Sequence, residues 1–257
     1  MRRTIRCLLI VLSSIFCRGI SASSVKNEMG GVPSPLPYPE AFSISFVTNI
    51  TRADSTESTD YPIRGTLFYD WKNSKSQRID HAAGSYECQH FYQTPGPCLL
   101  IFRPDEGMYR ILPNNVGGGE NENNESDCCL DLPQVGAPPP NWAVLANPTY
   151  NGIVHDERSG RLAQEWKFDR LNPPFNLGHD AKQGVRFETI EYHSIRHVAN
   201  SEHFDPLLFT FPGKAEGRQD FHYQLDTLEI REQDSYLFQL PAGCAQRLCK
   251  TTARRDH

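Results

Sequence analysis

The chain has 257 residues, 38% of them hydrophobic, 11% aromatic and 22% charged, with 18 glycines and 19 prolines. That is enough apolar side chain for a sizeable core, so a disordered polymer is excluded, as are collagen and a multi-span membrane protein, because no apolar run reaches the roughly 18 to 20 residues that cross a bilayer. The net charge of -5 argues against nucleic acid as a partner, since phosphates call for a basic surface.

The first segment reads as a secretory signal peptide, residues 1–22. Arg2, Arg3 and Arg6 precede an apolar stretch from Cys7 to Cys17, and small residues follow at Ser21, Ala22 and Ser23. Its removal takes away four arginines and no acids, leaving 22 Lys+Arg against 31 Asp+Glu, a net charge of -9. Residues 23–40 are rich in proline and glycine and are expected to form an extended, poorly packed leader.

From residue 41 to residue 249 the pattern is that of one β-rich domain, with 250–257 as a flexible tail. Phe42, Ile44 and Phe46 alternate with serines, the period of a half-buried strand. Thr66–Trp71 and Gln77–Ala82 flank a polar connector, and Leu99–Arg103 and Met108–Leu112 flank Pro104-Asp105-Glu106-Gly107, the clearest hairpin signal. The stretch from Asn114 to Asp127 is a polar, glycine-bearing loop expected to be disordered, and Asn141–Ala146 is the best candidate for a short helix. A further hairpin is predicted from Tyr150–His155 and Leu162–Phe168. Strand-like runs follow at Val185–Val198, Leu207–Phe211, Phe221–Leu225, Leu228–Arg231 and Tyr236–Leu240. Many short strands with almost no crossover helices imply an antiparallel barrel, half-barrel or sandwich.

Two of the eight cysteines lie in the signal. The other six, Cys88, Cys98, Cys128, Cys129, Cys244 and Cys249, predict three disulfides in an oxidising compartment. Six cysteines allow 15 pairings. Adjacent Cα atoms are only about 3.8 Å apart, so Cys128 and Cys129 bond different partners. The sequons Asn49-Ile50-Thr51 and Asn124-Glu125-Ser126 are expected glycosylation sites.

Catalytic signatures are absent from the sequence: no GxSxG occurs and no cysteine has a thiol-protease context, so neither an enzyme nor a cofactor is expected. His193 and His197 are four apart, but HSIRH lacks the glutamate of a metalloprotease helix and both read as solvent-facing strand histidines. Asp54, Glu57 and Asp60 in DSTESTD offer hard oxygen ligands suited to calcium. Without an EF-hand pattern they read as a solvated acidic turn, and no metal-ligand set is assigned. The aromatic residues are the stronger signal. Leu67, Tyr69, Trp71, Leu100, Phe102, Tyr109, Trp142 and Trp166 fall on or beside predicted strands, and a curved sheet covered on one side would leave them lining an apolar cleft.

Several ordered segments carry a family resemblance. They are Arg64–Trp71 with Gln77–Asp80, Cys98–Tyr109, the CCLDL run Cys128–Leu132, the PPPNWA turn, the hairpin from Gly152 to Trp166, and the closing FQLPAGC at Phe238–Cys244. Together they resemble the ependymin-related proteins over about residues 64 to 244. The resemblance implies a mainly β, curved antiparallel half-barrel of about ten strands, LolA-like, with one or two short helices. It further implies an apolar pocket for a hydrophobic small molecule or lipid in a secreted, often dimeric, extracellular protein. Calcium and extracellular matrix are associations of the family, and no calcium ligand can be carried over. Cys98, one of Cys128 and Cys129, and Cys244 match the family's cysteines. The family's early cysteine is missing here, and Cys88 and the Cys128-Cys129 doublet are additions. The leading expectation is thus a secreted, non-enzymatic lipid-binding protein. A matrix or adhesion protein acting through calcium-dependent surface contacts is the second, and a secreted hydrolase the third.

Overall fold

The computed structural model describes residues 32–51, 58–85, 87–92, 94–113, 127–133, 135–168, 193–213, 217–242, 244 and 248–249. Val32 ends a separate N-terminal unit, and the sheet belongs wholly to the unit that begins at Pro33. The signal peptide, Asp54 and Glu57 of the acidic turn, the loop 114–126 with the sequon at Asn124, residues 185–192 and the tail 250–257 lie outside the described residues, while Asp60 of the acidic turn falls within the strand Ser58–Asp70.

Eleven strands follow in chain order: β1 (Ala41–Thr51), β2 (Ser58–Asp70), β3 (Ser76–His81), β4 (Cys98–Arg103), β5 (Gly107–Leu112), β6 (Asp127–Pro133), β7 (Thr149–Asp156), β8 (Arg161–Phe168), β9 (His193–Val198), β10 (Pro206–Gly213) and β11 (Gly217–Glu229). All pair antiparallel in one open sheet of order β6-β5-β4-β3-β2-β1-β11-β10-β9-β8-β7. The helical pieces among the described residues are short: a π-helical turn at Glu87–Phe91, the four-residue α1 (Trp142–Leu145), a 3₁₀ turn at Ser235–Phe238 and 3₁₀ backbone at Cys244. The mainly β, antiparallel expectation holds, with eleven strands in place of about ten and no closure into a barrel.

The hairpins form where turn chemistry demands them. At β2–β3 the Asp70 carboxylate accepts the Asn73 N–H at 2.9 Å. At β4–β5 Asp105 and Gly107 supply positive φ angles of 58° and 133°. At β7–β8 Asp156 accepts both the amide and the hydroxyl of Ser159, at 2.9 and 2.7 Å. Two expectations need correction. Phe221–Leu225 and the start of Leu228–Arg231 belong to one strand, β11, which ends at Glu229, because Thr227 bridges the interruption. Its hydroxyl accepts the Ser45 N–H at 2.8 Å and donates to the Gln224 carbonyl at 2.7 Å, replacing ladder bonds across a bulge. Tyr236–Leu240 is no strand; Ser235–Phe238 closes into the 3₁₀ turn instead.

Register and alternation sort the side chains onto two faces. One carries Phe42, Ile44 and Phe46 of β1, Leu67 and Tyr69 of β2, Ile79 of β3, Leu100 and Phe102 of β4, Met108 of β5, Trp166 and Phe168 of β8, Ile195 of β9 and Phe221 and Tyr223 of β11. This face is concave. Ring-to-ring steps of 5.8, 5.7 and 5.3 Å connect Tyr69 to Tyr38, Trp142 and Phe168. On a flat sheet β2 and β8 would stand at least about 24 Å apart, at about 4.8 Å per strand. Gly65 of β2 helps, for the Phe46 ring lies across it and a Cβ there would overlap the ring.

Different pieces of chain cover the two faces. Residues 33–40 lack regular structure, as expected, yet they are not poorly packed. Tyr38 meets Phe42, Tyr69, Trp142 and Phe204, and its N–H donates to the Pro140 carbonyl at 2.8 Å. The irregular segment 135–141 and α1 complete this cover, with the Tyr69 hydroxyl donating to the Pro138 carbonyl at 2.8 Å. On the convex face, Ile101, Tyr109, Ile111 and Cys128 form an apolar patch under Leu240 and Cys244.

Candidate functional site on the concave face

Seven of the eight predicted pocket residues share the concave side. Leu67 and Tyr69 are buried beside half-buried Trp71, Leu100 is buried beside half-buried Phe102, and Trp142 and Trp166 are buried in the cluster with Phe168 and Ile195. Tyr109 is separated from them. Strand alternation turns it to the convex face, where its hydroxyl donates to Glu106 at 2.9 Å.

The apolar surface is not sealed. Phe221, Tyr223 and Leu225 of β11, near the middle of the sheet, remain half-buried, as do Ile79, Phe102 and Leu132 toward the β6 edge. Central strands usually bury their apolar face completely, so partial cover here comes from closing the sheet with irregular chain in place of a second layer.

Three polar groups on this face escaped the sequence reading. His81 of β3 and Glu87 of the π-helical turn are both buried, with Nδ1 and Oε2 3.5 Å apart, and Gln219 of β11 donates to Glu87 Oε1. Burial pushes the Glu87 carboxyl up to about 7 and the His81 imidazole down to about 4, so at neutral pH the imidazole is uncharged and the carboxyl is about half protonated. Arg110 of β5 is the third. It pairs with Leu100 across the ladder, is 8% exposed, and holds its guanidinium 5.0 Å over the Tyr92 ring. Its signal was legible in retrospect: within MYRIL it takes the same parity as Met108 and Leu112, a lone cation at a core-facing position.

The convex side carries different chemistry. Arg196 of β9 binds Glu165 at 2.7 Å and Asp156 at 3.6 Å. Burial opposes ionisation of Asp156, but the Ser159 hydrogen bonds and Arg196 hold its carboxyl below the ordinary value. Asp156, Arg158, Ser159 and Arg161 face Val47, His222 and Gln224 across a cleft of about 300 Å³, at the lower limit of ligand pockets. Asn49, the sequon on β1, is half-buried on this side, its Nδ2 3.5 Å from His222 Nε2. On the concave side, two residues along β9 from Ile195, His197 is not solvent-facing as expected. It is 1% exposed with its ring edge-on to Phe204 at 4.3 Å, and burial lowers its imidazole to about 3. The side chain of His193 lies outside the described residues, among which no cluster of three or more metal-ligating side chains occurs.

The six cysteines form Cys88–Cys98, Cys128–Cys244 and Cys129–Cys249, so the adjacent pair does take different partners. The first anchors the π-helical turn bearing Glu87 to β4. The other two fasten the C-terminal chain to β6, where the Cys249 N–H also donates to the Leu130 carbonyl at 2.9 Å. Among the described residues no helix is long and apolar enough to cross a membrane.

No family model matches the chain, and no curated protein matches it. Among solved structures, an uncharacterised conserved protein from Thermus thermophilus is similar at a TM-score of 0.42 and 10% identity, covering 82% of this chain and 90% of its own. A LolA superfamily protein from Nitrosomonas europaea is similar at a TM-score of 0.37 and 8% identity, covering 80% of this chain and 93% of its own. Neither score establishes a common fold, and the architecture rests on this chain's own strand order and register.

Proposed function

We propose that this is a secreted, glycosylated, non-enzymatic protein that holds a lipid-like hydrophobic molecule on its concave face, and that it is a member of the ependymin-related proteins. The observation that carries the reading is the half-buried apolar surface of Phe221, Tyr223 and Leu225 near the middle of the sheet, on a face whose cover among the described residues is irregular chain and short helical turns. Such a cover can shift without breaking a β ladder. Apolar area removed from water contributes about 25 cal/mol per Å², or about 0.8 kcal/mol per methylene. A long alkyl chain thus gains enough to offset the cost of association and bind at micromolar concentration. The three disulfides support an oxidising, extracellular compartment.

The test is titration of the delipidated, glycosylated protein with palmitate, hexadecanol and a sterol, read by tryptophan fluorescence, since Trp71, Trp142 and Trp166 all belong to this face. Saturable quenching by at least one of them is expected, weakened about tenfold by Tyr223→Ala. Absence of binding by all three overturns the reading.

A further inference from the structure

We propose that Arg110 receives the carboxylate of a long-chain fatty acid whose alkyl chain lies along the concave face. This rests on the apolar-ligand reading above and names the class of ligand.

Among the described residues Arg110 is a buried cation without a counter-ion. Its guanidinium makes no ion pair with any described carboxylate, and its Nε has no hydrogen-bond partner. Nη2 reaches only Cys129 Sγ, a weak acceptor, at 3.5 Å. A buried lysine or histidine in such a place would shed its proton; arginine cannot. An uncompensated buried charge is costly, and an anion supplied from outside removes that cost. Asp131 is the acid whose charge is felt at this site, yet it stands beyond ion-pair distance, and burial raises its carboxyl above the ordinary value.

The surroundings suit an amphiphile. From Arg110 the strand register leads across Leu100, Ile79, Leu67 and Ile44, an apolar row on one face. Four strand spacings make this row about 19 Å long, the reach of an extended long acyl chain. Within the row Ile79 is half-buried, as are Tyr92, Phe102 and Leu132 beside its Arg110 end, so the row is incompletely covered there, while Leu67 and Ile44 lie buried beneath the cover. One planar guanidinium matches one carboxylate through paired hydrogen bonds. A phosphate monoester, with up to two charges, would meet Asp131 with no second described cation in the cluster.

The experiment measures binding of palmitate, hexadecanol and monohexadecyl phosphate to the delipidated full chain and to Arg110→Met and Arg110→Lys. The unaltered protein is expected to prefer palmitate over hexadecanol by about tenfold, the worth of a charge-assisted hydrogen bond. Arg110→Met abolishes that preference without weakening hexadecanol, and melts no lower than the unaltered protein. Arg110→Lys keeps the charge, loses the planar fork and lowers the preference several-fold; it decides the matter if the methionine variant does not fold. Equal binding of acid and alcohol by the unaltered protein, or equal loss of both in the variants, overturns the anchor while the apolar-ligand reading stands. Tighter binding of the phosphate overturns the carboxylate assignment. No binding of any of the three overturns both proposals.

Discussion

The two ends of the chain cover opposite faces of one sheet by opposite means. The N-terminal segment 33–40 lies on the concave face through aromatic contacts of Tyr38 and a backbone hydrogen bond to Pro140. The C-terminal segment lies on the convex face at Leu240 and Cys244, fixed by Cys128–Cys244 and by Arg78 Nη1 donating to the Leu237 carbonyl at 3.1 Å, and then meets the β6 edge, where Cys129–Cys249 fastens it. Contacts of the first kind are reversible on the timescale of loop motion; cystine bridges are not. On the concave face Cys88–Cys98 ties only the π-helical turn to β4, whereas 33–40 is held by packing and hydrogen bonding, so that segment is the part of the cover able to shift for a guest.

The largest effect should come from breaking the covalent side. Cys128–Cys244 and Cys129–Cys249, separated by 116 and 120 residues, close nearly the same loop, for which cross-linking contributes about 4 to 5 kcal/mol in the chain-entropy view. Replacement of Cys128, Cys129, Cys244 and Cys249 together by alanine is expected to lose about 2 to 5 kcal/mol in urea denaturation, while palmitate binding to the folded fraction is retained. The concave face responds to pH instead. Glu87 titrates near 7 in the folded protein against an ordinary 4.5, so its contribution is fully present below about 4.5 and is lost as pH rises through about 7, roughly 3 kcal/mol in all. His81 and His197, lowered to about 4 and about 3, act in the other direction, losing stability as pH falls from about 6.5. Glu87→Gln removes the opposing contribution, so stability should climb more steeply between about pH 4 and 7 than in the unaltered protein. The smallest of the three is Tyr38→Ala. Its ring is half-buried, so about 2 kcal/mol is expected, below the roughly 3 to 5 of a fully buried aromatic, together with faster ligand entry in stopped-flow fluorescence. Slower entry would mean that Tyr38 belongs to the site and not to its cover.

The strands were legible because alternation and turn chemistry act locally. Phe42, Ile44 and Phe46, or Pro104 to Gly107, declare themselves within a few residues. What was lost depended on distant partners. Composition marked 33–40 as loose, yet a single tyrosine in it meets rings from β1, β2 and α1. Tyr109 was grouped with the pocket because aromatic character does not say which face a strand turns inward; only its pairing with Ile101 and the overlying Cys244 settles that. Arg110 and Glu87 were passed over because a charge reads as surface until its neighbours are known.

The sheet's two margins also differ. β7 ends the ladder on one side, and its pairing with β8 shifts between Tyr150 and Gly152. On the other side β6 is met by Leu248 in a parallel bridge beside the Cys129–Cys249 link. Filament growth requires two unlike free borders that fit each other, copy after copy. With β6 already met at Leu130 by its own chain, an incoming strand is obstructed there, and edge-to-edge association through β7 is expected to stop at two molecules.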